Sequence, residues 1–305
     1  MKKINIALIC CIMLITIPLQ AQLTEKESQL KELKTDSVTR WHTGGITSFT
    51  FGQTALHNWA AGGENSVSLN AMLNLYARYT SPKWEWDNRF DFGYGLLNQS
   101  IKGFSKTDDR IELTSKIGRK AFTNFYYTGL INFRTQLFEG FDYKTTPALK
   151  ISDILSPGYG VVAIGLNYKP SNNFSAFLSP ITSKSTFVLN DSLASVGAFG
   201  VDLGKNFRQE LGGYFRASYM KNDFKPEFLK NLSILTRLDL FSNYLNNPEK
   251  IDVNWDVVIG MKVNKYLSLS IIGSLIYDYD TKINGVDKVQ FKEIFGVGFS
   301  YAFKN

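Results

Sequence analysis

Residues 66–79 read SVSLNAMLNLYARY and residues 84–96 read WEWDNRFDFGYGL, joined by Ser81-Pro82-Lys83. In the first stretch Val67, Leu69, Ala71, Leu73, Leu75, Ala77 and Tyr79 alternate with Ser68, Asn70, Met72, Asn74, Tyr76 and Arg78. After the turn the alternation resumes, with Trp84, Trp86, Asn88, Phe90, Phe92, Tyr94 and Leu96 against Glu85, Asp87, Arg89, Asp91, Gly93 and Gly95. A period of two puts successive side chains on opposite faces of an extended strand. Each stretch therefore predicts a long strand with one greasy and one charged face, and the pair predicts an antiparallel hairpin.

The same alternation recurs along the chain. It is seen at 46–53, 110–117, 125–136, 160–168, 174–182, 211–219, 228–240, 253–263, 267–277 and 289–303. That makes twelve strands, an even number as an antiparallel membrane barrel requires. Soluble sandwiches and lipocalin-like barrels also alternate, but their strands average five or six residues. The connections sort into two alternating kinds. Short ones are 81–83, 122–124, 169–173, 221–227 and 264–265, and long ones are 54–65, 98–109, 139–159, 183–207, 245–250 and 281–288. Short periplasmic turns and long outer loops are the habit of outer-membrane barrels. The expectation is an all-β transmembrane antiparallel barrel with both chain ends in the periplasm.

Aromatic residues cluster toward the strand ends on the apolar parity. Trp84, Trp86, Phe125, Tyr127, Tyr168, Phe174, Tyr301 and Phe303 lie near the short turns, and Tyr94, Trp255, Tyr277 and Phe291 near the long loops. Two such girdles mark the two membrane interfaces. Arg119 and Glu293 break the lipid-side parity near strand ends, where a long side chain can reach the interface.

Composition agrees with this reading. The chain has 305 residues, of which 44% are hydrophobic, with 23 Phe, 15 Tyr and 5 Trp. Such aromatic content excludes disorder. A bundle of membrane helices needs repeated apolar runs of about 18 residues or more, and the only comparable run is at the N-terminus. There Lys2 and Lys3, an apolar stretch over 4–17 and Pro18-Leu19-Gln20-Ala21 have the layout of a cleavable export signal. Its removal takes the 34 basic residues to 32 against 27 acidic, a net +5, and discards both cysteines, Cys10 and Cys11. Disulfides and cysteine metal sites are thereby excluded from the mature chain. Basic and acidic residues interleave without a basic stripe, so no nucleic-acid partner is expected. The expected organisation is a signal over 1–21, a short periplasmic segment over 22–43 and a barrel over 44–305. Residues 22–40 are too short to be the plug of an energy-coupled transporter.

The charged parity defines the candidate site. It lines the lumen with Arg78, Glu85, Asp87, Arg89, Asp91, Arg110, Glu112, Lys116, Arg134, Arg208, Glu210, Arg216, Arg237, Asp239, Asp252, Asp256, Lys262 and Asp278. A lining of both signs either closes on itself through ion pairs or bounds a polar pore. The leading expectation is accordingly a channel for a small polar solute or a structural envelope protein, with no cofactor and no metal. Two rival classes stay open. One is an envelope lipid or peptide hydrolase or acyltransferase using His57 in the first long loop. The other is a surface binding module acting through loops 139–159 and 183–207. His42 is placed before the first strand, Asp108-Asp109 is read as a solvated acidic loop, and Gly62-Gly63 as part of a tight turn.

Several stretches resemble a known family. They are residues 53–65 (QTALHNWAAGGEN), Trp86-Asp87-Asn88, Gly93-Tyr94-Gly95, Phe177-Leu178-Ser179-Pro180, Gly197-Ala198-Phe199-Gly200-Val201, residues 238–245 (LDLFSNYL), Asp252-Val253-Asn254-Trp255, Phe291-Lys292-Glu293 and residues 296–301 (GVGFSY). In these the chain resembles the domain-of-unknown-function family 3078 of exported Bacteroidetes proteins, from about Trp41 to the C-terminus. The resemblance implies a Gram-negative outer-membrane setting, contact with outer-membrane lipid, and a final strand read by the barrel-assembly machinery. It carries no functional residue.

Overall fold

The computed structural model describes residues 40–304 apart from 57–63, 101–102, 144–146, 172, 222–223, 265–266 and 281–285. The expected export signal, residues 22–39 and His57 lie outside the described residues, as do Gly62 and Gly63.

Twelve strands close into one ring. They are β1 (Arg40–Thr54), β2 (Ser66–Thr80), β3 (Trp84–Gln99), β4 (Gly103–Phe122), β5 (Phe125–Thr135), β8 (Gly158–Tyr168), β9 (Phe174–Phe187), β10 (Phe207–Lys221), β11 (Leu232–Asn243), β12 (Ile251–Lys262), β13 (Ser268–Tyr277) and β14 (Gln290–Lys304). Every neighbour pair is antiparallel and follows chain order. The ring is sealed where β1 pairs with β14, with Phe49 opposite Phe299. Two further strands, β6 (Gly140–Asp142) and β7 (Leu149–Ser152), form a small separate hairpin inside the long connection from β5 to β8. The sequence pattern did not predict this hairpin.

The outer surface is greasy. Large apolar side chains stand exposed on every barrel strand except β11, including Phe51, Leu69, Trp86, Leu113, Ile131, Ile164, Ile181, Leu211, Trp255, Ile271 and Phe295. A continuous belt of this kind exceeds the few hundred square ångströms that a soluble monomer exposes and marks contact with hydrocarbon. The few polar groups on the belt bond to each other: Trp86 Nε1 donates to Ser115 Oγ (2.9 Å), which donates to Asn88 Oδ1 (2.8 Å). Likewise Trp255 Nε1 donates to Thr236 Oγ1 (2.7 Å). The chain is an all-β transmembrane-type barrel. Among the described residues no helix is long and apolar enough to cross a membrane.

Four local readings are corrected. β1 begins at Arg40, so His42 is a strand residue opposite Arg78, and Arg40–Thr43 belong to the barrel rather than to the segment before it. Residues 98–109 are not a long loop, because β3 and β4 continue past Gly95 across a register shift and turn only after Gln99. Asp109 is therefore a strand residue; its side chain is 1% exposed, paired with Lys106 Nζ at 2.8 Å, and accepts from the amides of Leu137 and Phe138. Phe228 is not on β11 but in a 3-10 turn, Glu227–Leu229, on the 221–232 connection.

One irregularity sets which side chains face inward. Between β8 and β9, Ile164 pairs with Ile181 and Leu166 with Leu178, leaving Ser179 and Pro180 opposite Gly165 alone. This bulge inverts the parity, so Phe177 and Ser179 point in before it and Thr182 and Lys184 after it. Ser179 Oγ lies 2.8 Å from the carbonyl oxygens of both Ile164 and Ile181. Gly165 is obligatory, since a Cβ there would lie 2.0 Å from the Leu178 carbonyl oxygen.

Candidate functional site

The inward parity assembles a septum across the lumen. Arg237 on β11 reaches Glu112 on β4, five strands away around the ring of twelve, with Nη2 3.6 Å from Oε2. The same guanidinium holds Asp256 of β12 at 2.8 Å and Asp239 of β11 at 3.5 Å. Asp239 in turn takes Arg216 of β10 through Nε (2.5 Å) and Nη2 (3.1 Å) and the Tyr214 hydroxyl (2.8 Å). From the other side Asn132 Nδ2 donates to Glu112 Oε1 (2.8 Å), and Ser274 donates to Asp256 Oδ1 (2.6 Å). Glu112 and Asp239 are buried. Six strands thus meet through side chains in one layer.

Alternation explains why these residues converge, and register explains why they match. Asp91 faces Glu112 across β3 and β4, a like-charge pair that would be unfavourable alone. It is relieved because Asn74 and Arg89 bond Asp91, while Asn132 and Arg237 take Glu112.

Beside the septum lies an apolar patch that the sequence reading missed. Leu130, Ala163, Phe177, Tyr214 and Phe241, from β5, β8, β9, β10 and β11, pack together inside the barrel with Val161. Inward parity was readable for Leu130 and Phe241, but sorting residues by polarity conceals an apolar side chain on the polar face.

The septum separates two cavities. Toward the long loops lies a cavity of about 630 Å3, bounded by Arg110, Arg134, Lys184, Asp252 and Lys292 and roofed by Phe141, Ile151 and Phe199 from the loops. Lys184 Nζ sits 2.6 Å from Asp252, 3.6 Å from Glu210 and 3.8 Å from Asp278. Arg208 joins Glu210 (3.2 Å) to Asp280 (2.6 Å) and donates to the Gly200 carbonyl (2.8 Å), tying loop 188–206 to the segment after β13. That loop has its own small core of Val188, Leu193, Ala194 and Val201 around the short helix α1 (Asp191–Ser195), capped by Asn190. Lys292 of β14 bonds Asp108 of β4 across the mouth (3.0 Å).

Toward the short turns lies a cavity of about 230 Å3, lined by Arg78, Asp87, Arg89, Lys116, Arg216 and Arg237 among others. Arg78 bonds Asp87 on the neighbouring strand, and Arg89 bonds Asp91 at 3.1 Å. Below it Glu85 is buried and takes Lys169 (3.0 Å) and Asn167 (3.4 Å). Arg216 borders both cavities. Lys262 ends β12 at the short-turn rim.

Of the residues assigned to the girdles, Trp84, Trp86, Tyr127, Tyr168 and Trp255 are exposed on the outer surface, and Tyr94 and Tyr277 are half-buried. Trp41 adds to the short-turn group, its ring 5.4 Å from Tyr79 and 5.5 Å from Trp86. Tyr301 and Phe303 lie on β14, with side chains outside the described residues. Arg119 stacks over Trp84 at 5.8 Å, which places its charge at the interface, and Glu293 is exposed. The residues missed as lumen groups are Lys106, Asp109, Lys184, Asp280 and Lys292. Lys292 was readable from strand parity, whereas Lys184 was hidden by the bulge.

Among the described residues no group of three or more His, Cys, Asp or Glu side chains is arranged to hold a metal ion. No curated protein matches the sequence. Among solved structures, an outer membrane channel from Pseudomonas putida F1 is similar at 11% identity and a TM-score of 0.39, over 90% of this chain and 98% of that one. The translocator domain of the autotransporter NalP from Neisseria meningitidis is similar at 9% identity and a TM-score of 0.36, over 94% and 100%. The NanC porin is similar at 8% identity and a TM-score of 0.39, over 83% and 98%. Residues 51–141 match the model of the family described as protein of unknown function (DUF3078), the family that the motifs of this chain resemble.

Proposed function

We propose that this protein is a gated outer-membrane channel for a small polar solute, with the long loops outside and the short turns in the periplasm. The reading rests on one observation: two cavities with charged side chains in their linings, on either side of the ion-paired septum. A barrel stabilised only for its own sake would fill its lumen with side chains, as small barrels do. The weakest link of the septum is the one that spans it. Glu112 Oε2 and Arg237 Nε are both shielded from solvent and make no hydrogen bond, so the cross-lumen contact is an ion pair without directional bonds. Swinging the Arg237 head toward Asp256 and Asp239, which already bind it, would join the cavities without unpairing it.

The greasy belt takes outer-membrane lipid as its solvent in this reading, and β14 is the strand that the barrel-assembly machinery would engage. Purified barrel reconstituted into planar bilayers tests the channel directly. Wild-type protein is expected to show small, infrequent openings, and Arg237→Met a conductance several-fold higher. Silence of both proteins at all voltages would refute the channel and leave a structural barrel.

A further inference from the structure

We propose that the solute is a small oxyanion bearing a carboxylate or phosphate group, guided by Arg110, Arg134 and Lys116. The inference rests on the channel reading and adds the charge of what passes. It comes from pairing the charges of the lumen one by one. Arg78 is matched by Asp87, Arg89 by Asp91, Lys106 by Asp109, and Lys184 by Asp252. Arg208 is matched by Asp280, Arg216 by Asp239, Arg237 by Asp256, and Lys292 by Asp108. Three cations have no carboxylate at ion-pair range, while three carboxylates, Glu112, Glu210 and Asp278, share a cation already matched. Among the described residues no carboxylate oxygen lies within 4.0 Å of Arg110, Arg134 or Lys116.

These three are not scattered. Arg110 and Lys116 stand on the inward face of β4, and Arg134 stands on the adjacent strand β5. Arg110 faces Gly93, and the other two have a carboxylate as a register neighbour that is committed elsewhere. Arg134 is opposite Glu112, whose oxygens face Asn132 and Arg237; Lys116 is opposite Asp87, which bonds Arg78. At about 3.4 Å per residue, Arg110 and Lys116 are roughly 20 Å apart along the strand, one on each side of the septum. Arg110 and Arg134 border the outer cavity, and Lys116 the inner one. Between them Arg216 and Arg237 cross the septum, bound to Asp239, Asp256 and Glu112.

Confinement makes the leftover charge informative. A cation in a narrow lumen without a fixed counter-charge is unfavourable unless water or a mobile anion satisfies it. The bias lies in the inner cavity, with five cationic side chains and one carboxylate, Asp87, in its lining, whereas the outer lining has six cations and seven carboxylates. The shielded Tyr76 hydroxyl has no hydrogen-bond partner there and supplies a further donor. At about 230 Å3 the space holds on the order of seven water volumes, enough for a small carboxylate or a phosphate. Guanidinium groups bind both with paired N–H donors; Arg110 and Arg134 both border the outer cavity, Arg134 stacked over the Tyr159 ring at 5.5 Å.

The test uses the full barrel and a triple variant, Arg110→Gln, Arg134→Gln and Lys116→Met, whose folding is checked by heat-dependent gel mobility. In planar bilayers under a tenfold KCl gradient, the wild-type reversal potential is expected to show anion preference, and the triple variant to lose most of it. Cation preference in the wild type, or an unchanged reversal potential in the variant, would overturn the proposal. Should the wild type be silent, the channel reading fails and the anion site is tested separately by calorimetric titration of the micelle-solubilised barrel at low salt. Sodium phosphate and sodium succinate are the probes, and which one binds identifies the oxyanion. Binding weakened at least tenfold in the triple variant supports the proposal; no binding of either, or binding unchanged by the substitutions, overturns it. Lys116→Arg, which keeps the charge, is expected to retain both the selectivity and the binding.

Discussion

Arg237 and Glu112 stand on nearly opposite walls of the barrel and meet in its middle, 3.6 Å apart. Their encounter depends on ring closure, because nothing local in β4 or β11 brings them together. Arg237→Met removes the cation that Glu112, Asp239 and Asp256 share and leaves carboxylates facing one another. Breaking a buried pair by deleting one partner costs several kcal/mol; water in the lumen reduces this to about 3 kcal/mol. The expected result is a lower urea midpoint in micelles together with a raised conductance. Adding Glu112→Gln is expected to return about 1 kcal/mol of stability while the conductance stays high. An unchanged midpoint in the single variant would show that the septum carries no energetic weight.

Gly165 tests the bulge that turns Lys184 into the lumen. A methyl group there would lie 2.0 Å from the Leu178 carbonyl and 2.7 Å from Ser179 Cα, both backbone atoms that cannot swing aside. Gly165→Ala is expected to cost about 3 kcal/mol, the upper range for overpacking, with loss of the heat-modifiable folded band. Gly273→Ala meets no atom within 4 Å and serves as the neutral control. Equal stability of the two variants would argue against the Ser179-Pro180 bulge.

What could be read before folding, and what could not, divides along physical lines. Strand identity, ring size and the inward charges followed from a period of two, because that period is fixed by backbone geometry and needs no partner. Glu85, Asp87, Arg89 and Asp91 are legible in this sense. Lys184 was not, because one extra residue opposite Gly165 reverses the parity and alternation alone cannot see it. The strand character of Asp108 and Asp109 was obscured by a second register shift beside Gly95. Which cation is left without a carboxylate, finally, depends on competition among neighbours on three strands. Lys116 faces Asp87 in register but loses it to Arg78.

The membrane setting predicts a dependence on depth. Ile131 stands at the middle of β5, exposed on the outer belt, whereas Phe291 is the second residue of β14, near the long-loop rim. Ile131→Arg is expected to destabilise the barrel by about 2–4 kcal/mol and Phe291→Arg by about 0–1 kcal/mol, measured by reversible unfolding from lipid vesicles. In a water-facing barrel neither arginine would be unfavourable. Equal and small effects at the two positions would therefore remove hydrocarbon as the solvent of this surface.

The loop beyond β5 offers a prediction in pH. Asp153 accepts from Lys150 Nζ (3.1 Å), from the Ile154 amide (2.8 Å) and from Asn190 Nδ2 (2.8 Å), and Asn190 caps α1. The Lys150 bond, and after it the Ile154 amide, hold the Asp153 carboxyl below its ordinary value of 3.8. A carboxylate whose folded value is depressed stabilises the folded loop fully above the ordinary value and loses that contribution as pH falls through the lower folded one. Hydrogen exchange at the Ile154 and Leu193 amides is thus expected to be flat, relative to the intrinsic rate, from pH 7 to about 4.5, and to accelerate below about 4. Asp153→Asn would weaken protection at neutral pH and abolish the acid step. A step that begins above pH 5, or one that persists in Asp153→Asn, would assign the clasp to another group.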